Sequence, residues 1–152
     1  MEIHYRLQRM EEAGFSFKPD FNFQANSLDV VNFQFTHRLN PMPDTSEIAL
    51  TMITEITPEK SNEVIASQTV YCVFWIDPFD KVIQVKEGNF TSSEPLLIDT
   101  FINIAIGALR GMLVKNLKGT QLSGIVLPLI PMDVIRQNST RANNSSPSQS
   151  NL

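Results

Sequence analysis

Residues 96–117 read LLIDTFINIAIGALRGMLVKNL, and 118–135 continue KGTQLSGIVLPLIPMDVI. In the first run, apolar residues occupy positions 96, 97, 98, 101, 102, 104, 105, 106, 108, 109, 112, 113, 114 and 117. That is most of the circumference of a helix, the signature of one buried on more than one side. At about 100° per residue, Asp99, Thr100, Asn103, Gly107, Arg110 and Gly111 share the remaining sector. Such a helix needs cover over most of its surface. The rest of the chain, or a second copy of it, must supply that cover.

The helix is well punctuated. Ser92 or Ser93 offers a capping hydroxyl, and Pro95 suits the first turn, where a missing N–H costs nothing. Asp99 lies toward the positive end of the helix dipole, Lys115 and Lys118 toward the negative end, and Gly119 is a left-handed stop. Pro128 and Pro131 exclude further helix, so Ile125 to Ile130 should be extended.

Upstream, the pattern changes to alternation. Ile3, Tyr5, Leu7, Phe15, Phe17, Phe21 and Phe23 share the odd positions of a first strand region, with a bulge or break expected at Glu11 to Gly14. Val31 to Leu39 alternates cleanly, and Asn40 to Asp44, with two prolines, reads as a turn. Glu47 to Thr57 and Val64 to Ile76 are the next two strands, joined by a loop at 57–62. The run Val70 to Ile76 is apolar on both parities, so both faces of the sheet should be covered there. Asp77 to Asp80 turns the chain, and Val82 to Val85 reads as the end of a strand. Four strands followed by one long helix define an α+β fold, a four-stranded antiparallel sheet with the helix packed on one face. Residues 136–152 are Asn, Ser, Gln and Thr with little apolar content, and are expected to form a disordered polar tail after a domain at 1–135.

The 152 residues carry a net charge of −4, which offers no basic footprint for nucleic acid. Residues 1–10 are charged and lack the apolar core of a signal peptide, and polar residues interrupt the helix. A cytoplasmic protein that does not insert into a membrane is the expectation. One cysteine, Cys72, excludes an internal disulfide, and with His4 and His37 it gives no metal-ligand spacing. Cys72 sits in the most apolar strand, where an inert buried thiol is expected. No glycine-rich phosphate loop and no nucleophile–base constellation is legible, so neither a cofactor nor an enzymatic activity is expected.

Two other features ask for a function. Gly107 and Gly111 lie one turn apart inside a helix, where each costs roughly 1 kcal/mol relative to Ala. Close approach of another backbone explains them, either the chain's own sheet or a helix of another protomer. On the second reading, Asn103, Gly107, Arg110 and Gly111 form an oligomer interface. Ten phenylalanines and six methionines also exceed what one small sheet and one helix bury with ease. Phe33, Phe35, Met52, Phe74 and Trp75 are the candidates for an adaptable surface that binds apolar segments of other proteins.

At this point the order of elements and the C-terminal segment resemble the SecB-like chaperones. Gly119-Thr120, followed by Leu127-Pro128-Leu129-Ile130-Pro131-Met132-Asp133-Val134-Ile135, is similar to the family's exit from its long helix and its closing run. Ile104 to Leu117, with Arg110-Gly111 in its middle, looks like the divergent branch, and the likeness covers roughly residues 3–135. The resemblance implies a homotetramer built as a dimer of dimers. It also implies ATP-independent binding of unfolded or pre-secretory polypeptides in apolar grooves, with the secretion motor SecA as a further partner; the alternative within the family is a dedicated chaperone of an antitoxin. Glu55, Glu59 and Glu63 are the nearest match to the acidic sheet face on which the motor docks. Two rival classes are a non-enzymatic scaffold for one folded partner and a small-molecule binder or enzyme in a sheet–helix pocket.

Overall fold

The computed structural model describes residues 1–23 and 31–135. The tail expected to be disordered, 136–152, lies outside the described residues. Strands β1 (His4–Phe17), β2 (Val31–Met42), β3 (Glu47–Pro58) and β4 (Ala66–Asp77) come first. A one-turn helix, α1 (Phe79–Val82), leads to a small hairpin of β5 (Ile83–Lys86) and β6 (Asn89–Ser92). The long helix α2 (Pro95–Asn116) follows. The four long strands form one antiparallel sheet in the order β1-β4-β3-β2, so β3 and β4 are central and β1 and β2 are the edges.

The sheet is assembled by its even-numbered central residues. Ile48, Leu50, Met52 and Ile56 of β3 and Val70, Cys72, Phe74 and Ile76 of β4 are all at most 1 % exposed. All but Ile56 face Phe101, Ile102, Ala105, Ile106 and Leu109 of α2 in one core. The Phe74 and Phe101 rings stack at 4.0 Å between centroids, an arrangement that contributes about 0.5–1.5 kcal/mol beyond the area it buries. A second cluster fills the far end, where Ile56, Ile65, Leu113, Leu117 and Leu122 meet Phe17, Phe21 and Phe23.

The helix begins at Pro95 as its sequence predicts, but neither serine caps it by side chain. Glu94 holds the cap position. Ser92 Oγ accepts the Glu94 N–H at 3.0 Å, and Ser93 Oγ donates to the Lys81 carbonyl at 2.7 Å. Gly119 takes the expected left-handed conformation, φ +80°. Beyond it the chain doubles back along α2. The Arg110 guanidinium donates from Nε to the Leu127 carbonyl at 2.9 Å and from Nη2 to the Pro128 carbonyl at 3.0 Å. Leu127 and Ile135 are buried in the core. The C-terminal segment therefore covers one flank of α2.

Four local expectations change. Residues 132–135 are helical, although Pro128 and Pro131 were expected to exclude helix after α2; Pro131 stands just before the first helical residue, where a missing N–H costs nothing. Residues 40–42 continue β2 instead of turning, with Pro41 opposite Ile48; an edge strand accepts a proline because one of its sides has no partner. The turn itself is the short 3₁₀ segment Pro43–Thr45. The stretch at 82–85 is the end of α1 followed by a hairpin strand, whose turn places Glu87 and Gly88 at positive φ. Finally, β1 holds two bulges, at Leu7/Arg9 and at Glu12/Gly14, where one was expected.

Candidate functional site

The two edges of the sheet are built differently. β2 is paired to β3 residue for residue over twelve consecutive pairs, with no register shift. Its odd positions, Phe33, Phe35, His37 and Leu39, lie on the helix side of the sheet and are half-buried. Its even positions, Asn32, Gln34, Thr36, Arg38 and Asn40, are exposed on the opposite side. Strict alternation of this kind produces a half-buried strand with one apolar and one polar row. No β-strand among the described residues pairs with the outer side of β2. An edge of this length and regularity is a template for another extended chain.

β1 is interrupted. Each bulge moves the alternation by one residue, so the helix-side row runs Tyr5, Leu7, then Met10, Glu12, then Phe15, Phe17. Tyr5, Leu7, Met10 and Phe15 are 38–51 % exposed. Tyr5 meets Phe101 edge-on at 5.9 Å. Glu12 accepts a hydrogen bond from Asn116 Nδ2 at 2.5 Å, and Asn116 Nδ2 also lies 2.9 Å from Gln68 Oε1. The fully buried Gln68 donates from Nε2 to the Gly14 carbonyl at 3.0 Å. This network ties the second bulge to the end of α2. On the other side of the sheet, the Arg6 guanidinium lies 4.5 Å from the Trp75 ring centroid and that of Arg9 lies 5.4 Å from Tyr71. Charges and bulges are the usual means of making an edge unattractive to other strands.

The outer face of α2 carries Asn103, Ile104, Gly107 and Gly111, all exposed. Among the described residues, a Cβ at Gly107 or Gly111 would meet nothing within 4 Å. Contact with the chain's own sheet therefore does not explain these glycines. Arg110, predicted beside them, is half-buried and engaged with the C-terminal segment. Where β1 meets the start of α2, Ile3, Tyr5, Glu94, Leu96, Leu97 and Thr100 line an open cleft of about 250 Å³.

The five residues predicted to hold clients do not form one surface. Phe33 and Phe35 belong to the half-buried row of β2. Met52 and Phe74, each 1 % exposed, are core residues beneath α2, so a bound segment cannot reach them without opening the core. Their even numbers put them on the helix side of central strands, and that assignment needs to be known before accessibility can be read. Trp75 lies on the opposite face, half-covered by Arg6. The exposed row Tyr5, Leu7, Met10 and Phe15 was not among the predicted residues, because the bulges hide its continuity from a period-two reading.

Little titration chemistry is gathered here. Burial pushes the Cys72 thiol up to about 11, which leaves it protonated and unreactive. Burial also holds His37 below the ordinary imidazole value, so its place in the apolar row of β2 is uncharged at neutral pH. Glu55 lies in β3, and Glu63 pairs with Lys18. Among the described residues, no group of three or more His, Cys, Asp or Glu is placed to hold a metal ion.

An antiparallel sheet with one bulged and one uninterrupted edge strand, and one long half-covered helix, defines the class of this protein: an α+β module with apolar surface to spare. No family model and no curated protein matches the chain. Among solved structures, it is similar to the SecB-like chaperone Rv1957 of Mycobacterium tuberculosis, solved in complex with a ChAD peptide from the Rv1956 HigA1 antitoxin. The two are 12 % identical with a TM-score of 0.46, and the match covers 86 % of this chain and 87 % of that one.

Proposed function

We propose that this protein is an ATP-independent holdase of the cytoplasm that binds extended segments of unfolded polypeptides at the β2 edge. The observation that supports this is the uninterrupted ladder of β2, with a half-buried apolar row on one side and, among the described residues, no strand on its outer edge. A client strand added there makes main-chain hydrogen bonds whatever its sequence. Its side chains on the helix side lie beside Phe33, Phe35 and Leu39. Each client side chain removed from water contributes about 25 cal/mol per Å², less the cost of ordering the segment. One edge alone therefore holds weakly, and several edges on one oligomer hold well. We assign the exposed glycine face of α2 and the apolar row of β1 to that assembly, for which the sequence resemblance implies a homotetramer. The same resemblance makes precursors awaiting export the natural clients. Binding an unfolded state delays both its folding and its aggregation by mass action, and no catalytic step is needed.

The test is light scattering of an unfolded client diluted into buffer with and without the protein, in the absence of ATP. Delay at stoichiometric amounts supports the proposal, and unchanged scattering overturns it. A panel of unrelated unfolded peptides separates a holdase, which binds many of them, from a scaffold that binds one folded partner. Gly107→Leu should change the mass in solution if that helix face is an interface.

A further inference from the structure

The two rows of β2 differ in more than hydropathy, and the difference bears on which segments the edge accepts. Arg38 is the one charged side chain in the exposed row, between Thr36 and Asn40. Its partner across the ladder is Thr51, and no ion pair engages it among the described residues. The nearest same-face carboxylates along β3 are Glu55, opposite Gln34, and Glu47, opposite Met42; each is four residues away and thus roughly 13 Å along the strand. The helix-side row is Phe33, Phe35, His37 and Leu39, and its one titratable member is uncharged at neutral pH. A strand docked on β2 therefore meets an apolar row on one side. On the other it meets amides, a hydroxyl and a single guanidinium.

Resting on the holdase reading, we propose that the β2 edge selects extended segments in which apolar residues recur at every second position and the intervening positions are acidic or neutral, not basic. Two contributions set this preference. The period-two pattern matters because side chains of an added strand alternate between the two faces. A segment with its apolar residues bunched together leaves half of them on the polar side. The charge preference comes from Arg38, since directly opposed unlike charges on neighbouring strands favour pairing and like charges oppose it by similar amounts. An exposed pair of this kind changes affinity by about 1.4- to 5-fold, so replacing attraction with repulsion spans about two- to tenfold or more at low salt.

Three labelled 12-residue peptides test this against the full-length protein by fluorescence anisotropy. One alternates apolar residues with glutamate and serine, one replaces the glutamates with lysine, and one has the first peptide's composition with its apolar residues contiguous. The expected order is alternating acidic tightest, alternating basic weaker by about two- to tenfold, and contiguous weakest. Arg38→Gln should remove the charge preference, and Arg38→Glu should reverse it, with thermal unfolding confirming that each variant is folded. Equal binding of acidic and basic peptides, or an Arg38→Glu variant with the wild-type order, overturns the charge preference. Contiguous and alternating peptides binding alike overturns the pattern preference while the holdase reading stands. If none of the three binds and aggregation is also not delayed, both readings fall together.

Discussion

β1 and β2 flank the same pair of central strands, yet they present opposite edges. β2 runs through twelve register pairs without interruption and exposes one charge, Arg38. β1 covers fourteen residues but breaks its ladder twice, and Arg6, Arg9, Glu11 and Glu12 project from it. The polar groups buried beneath the edges differ as well. Toward β1, Gln68 is satisfied by the Gly14 carbonyl, Asn116 and Glu12. Toward β2, Thr54, opposite Phe35 and fully buried, has a hydroxyl with no hydrogen-bond partner among the described residues. One edge is fastened to the helix and protected against further pairing; the other is left plain. On the proposed reading this asymmetry has a use, because a sheet with two plain edges would be prone to pair with its own copies.

The largest effect should come from the scaffold both edges share. Phe74→Ala removes a fully buried ring stacked on Phe101 and should cost about 3–5 kcal/mol in chemical denaturation. Loss of peptide binding with unchanged stability would contradict its placement in the core. Next, paired lysines should separate the edges. Gln34→Lys with Thr36→Lys on β2 should weaken apolar peptides by about tenfold, near 1.4 kcal/mol. Leu7→Lys with Met10→Lys on β1 should lower the mass measured by light scattering yet leave affinity for a short peptide, which occupies one edge only, within about twofold. Equal losses of affinity at both edges would erase the distinction.

A smaller effect tests the fastening of β1. Asn116→Ala leaves Gln68 Oε1 and Glu12 short of a donor and should cost about 1–3 kcal/mol. Amide exchange should quicken in β1 while β2 is unchanged. The smallest effect lies beneath β2. Thr54→Val replaces an unpartnered hydroxyl by a methyl group of nearly the same shape, and should stabilise the protein by about 1 kcal/mol. A destabilised variant would show that the hydroxyl has a partner after all.

How far the sequence reveals these edges depends on whether periodicity survives. β2 was legible because Val31 to Leu39 alternates without a fault, and α2 because its caps and apolar stripe agree with each other. β1 was legible only in part. Two one-residue bulges add up to a full period of two, so Tyr5 and Phe15 share a parity while Met10 between them does not. Sequence alone also leaves open which face of the sheet α2 covers, and Met52 and Phe74 were read as accessible for that reason. Gly107 and Gly111 posed a choice that patterning could not make. The space around their Cα atoms decides against the chain's own sheet.

The grip of Arg110 on the carbonyls of Leu127 and Pro128 has a consequence for the order of events during synthesis. A chain made from its N-terminus completes the sheet first and α2 second, and at that stage one flank of the helix is bare. That flank closes only when Leu127 and Ile135 emerge and take their places in the core. A nascent chain stalled between Asn116 and Leu127 would hold a finished sheet under an unfinished roof. The stretch that seals the domain is thus translated after every element it covers.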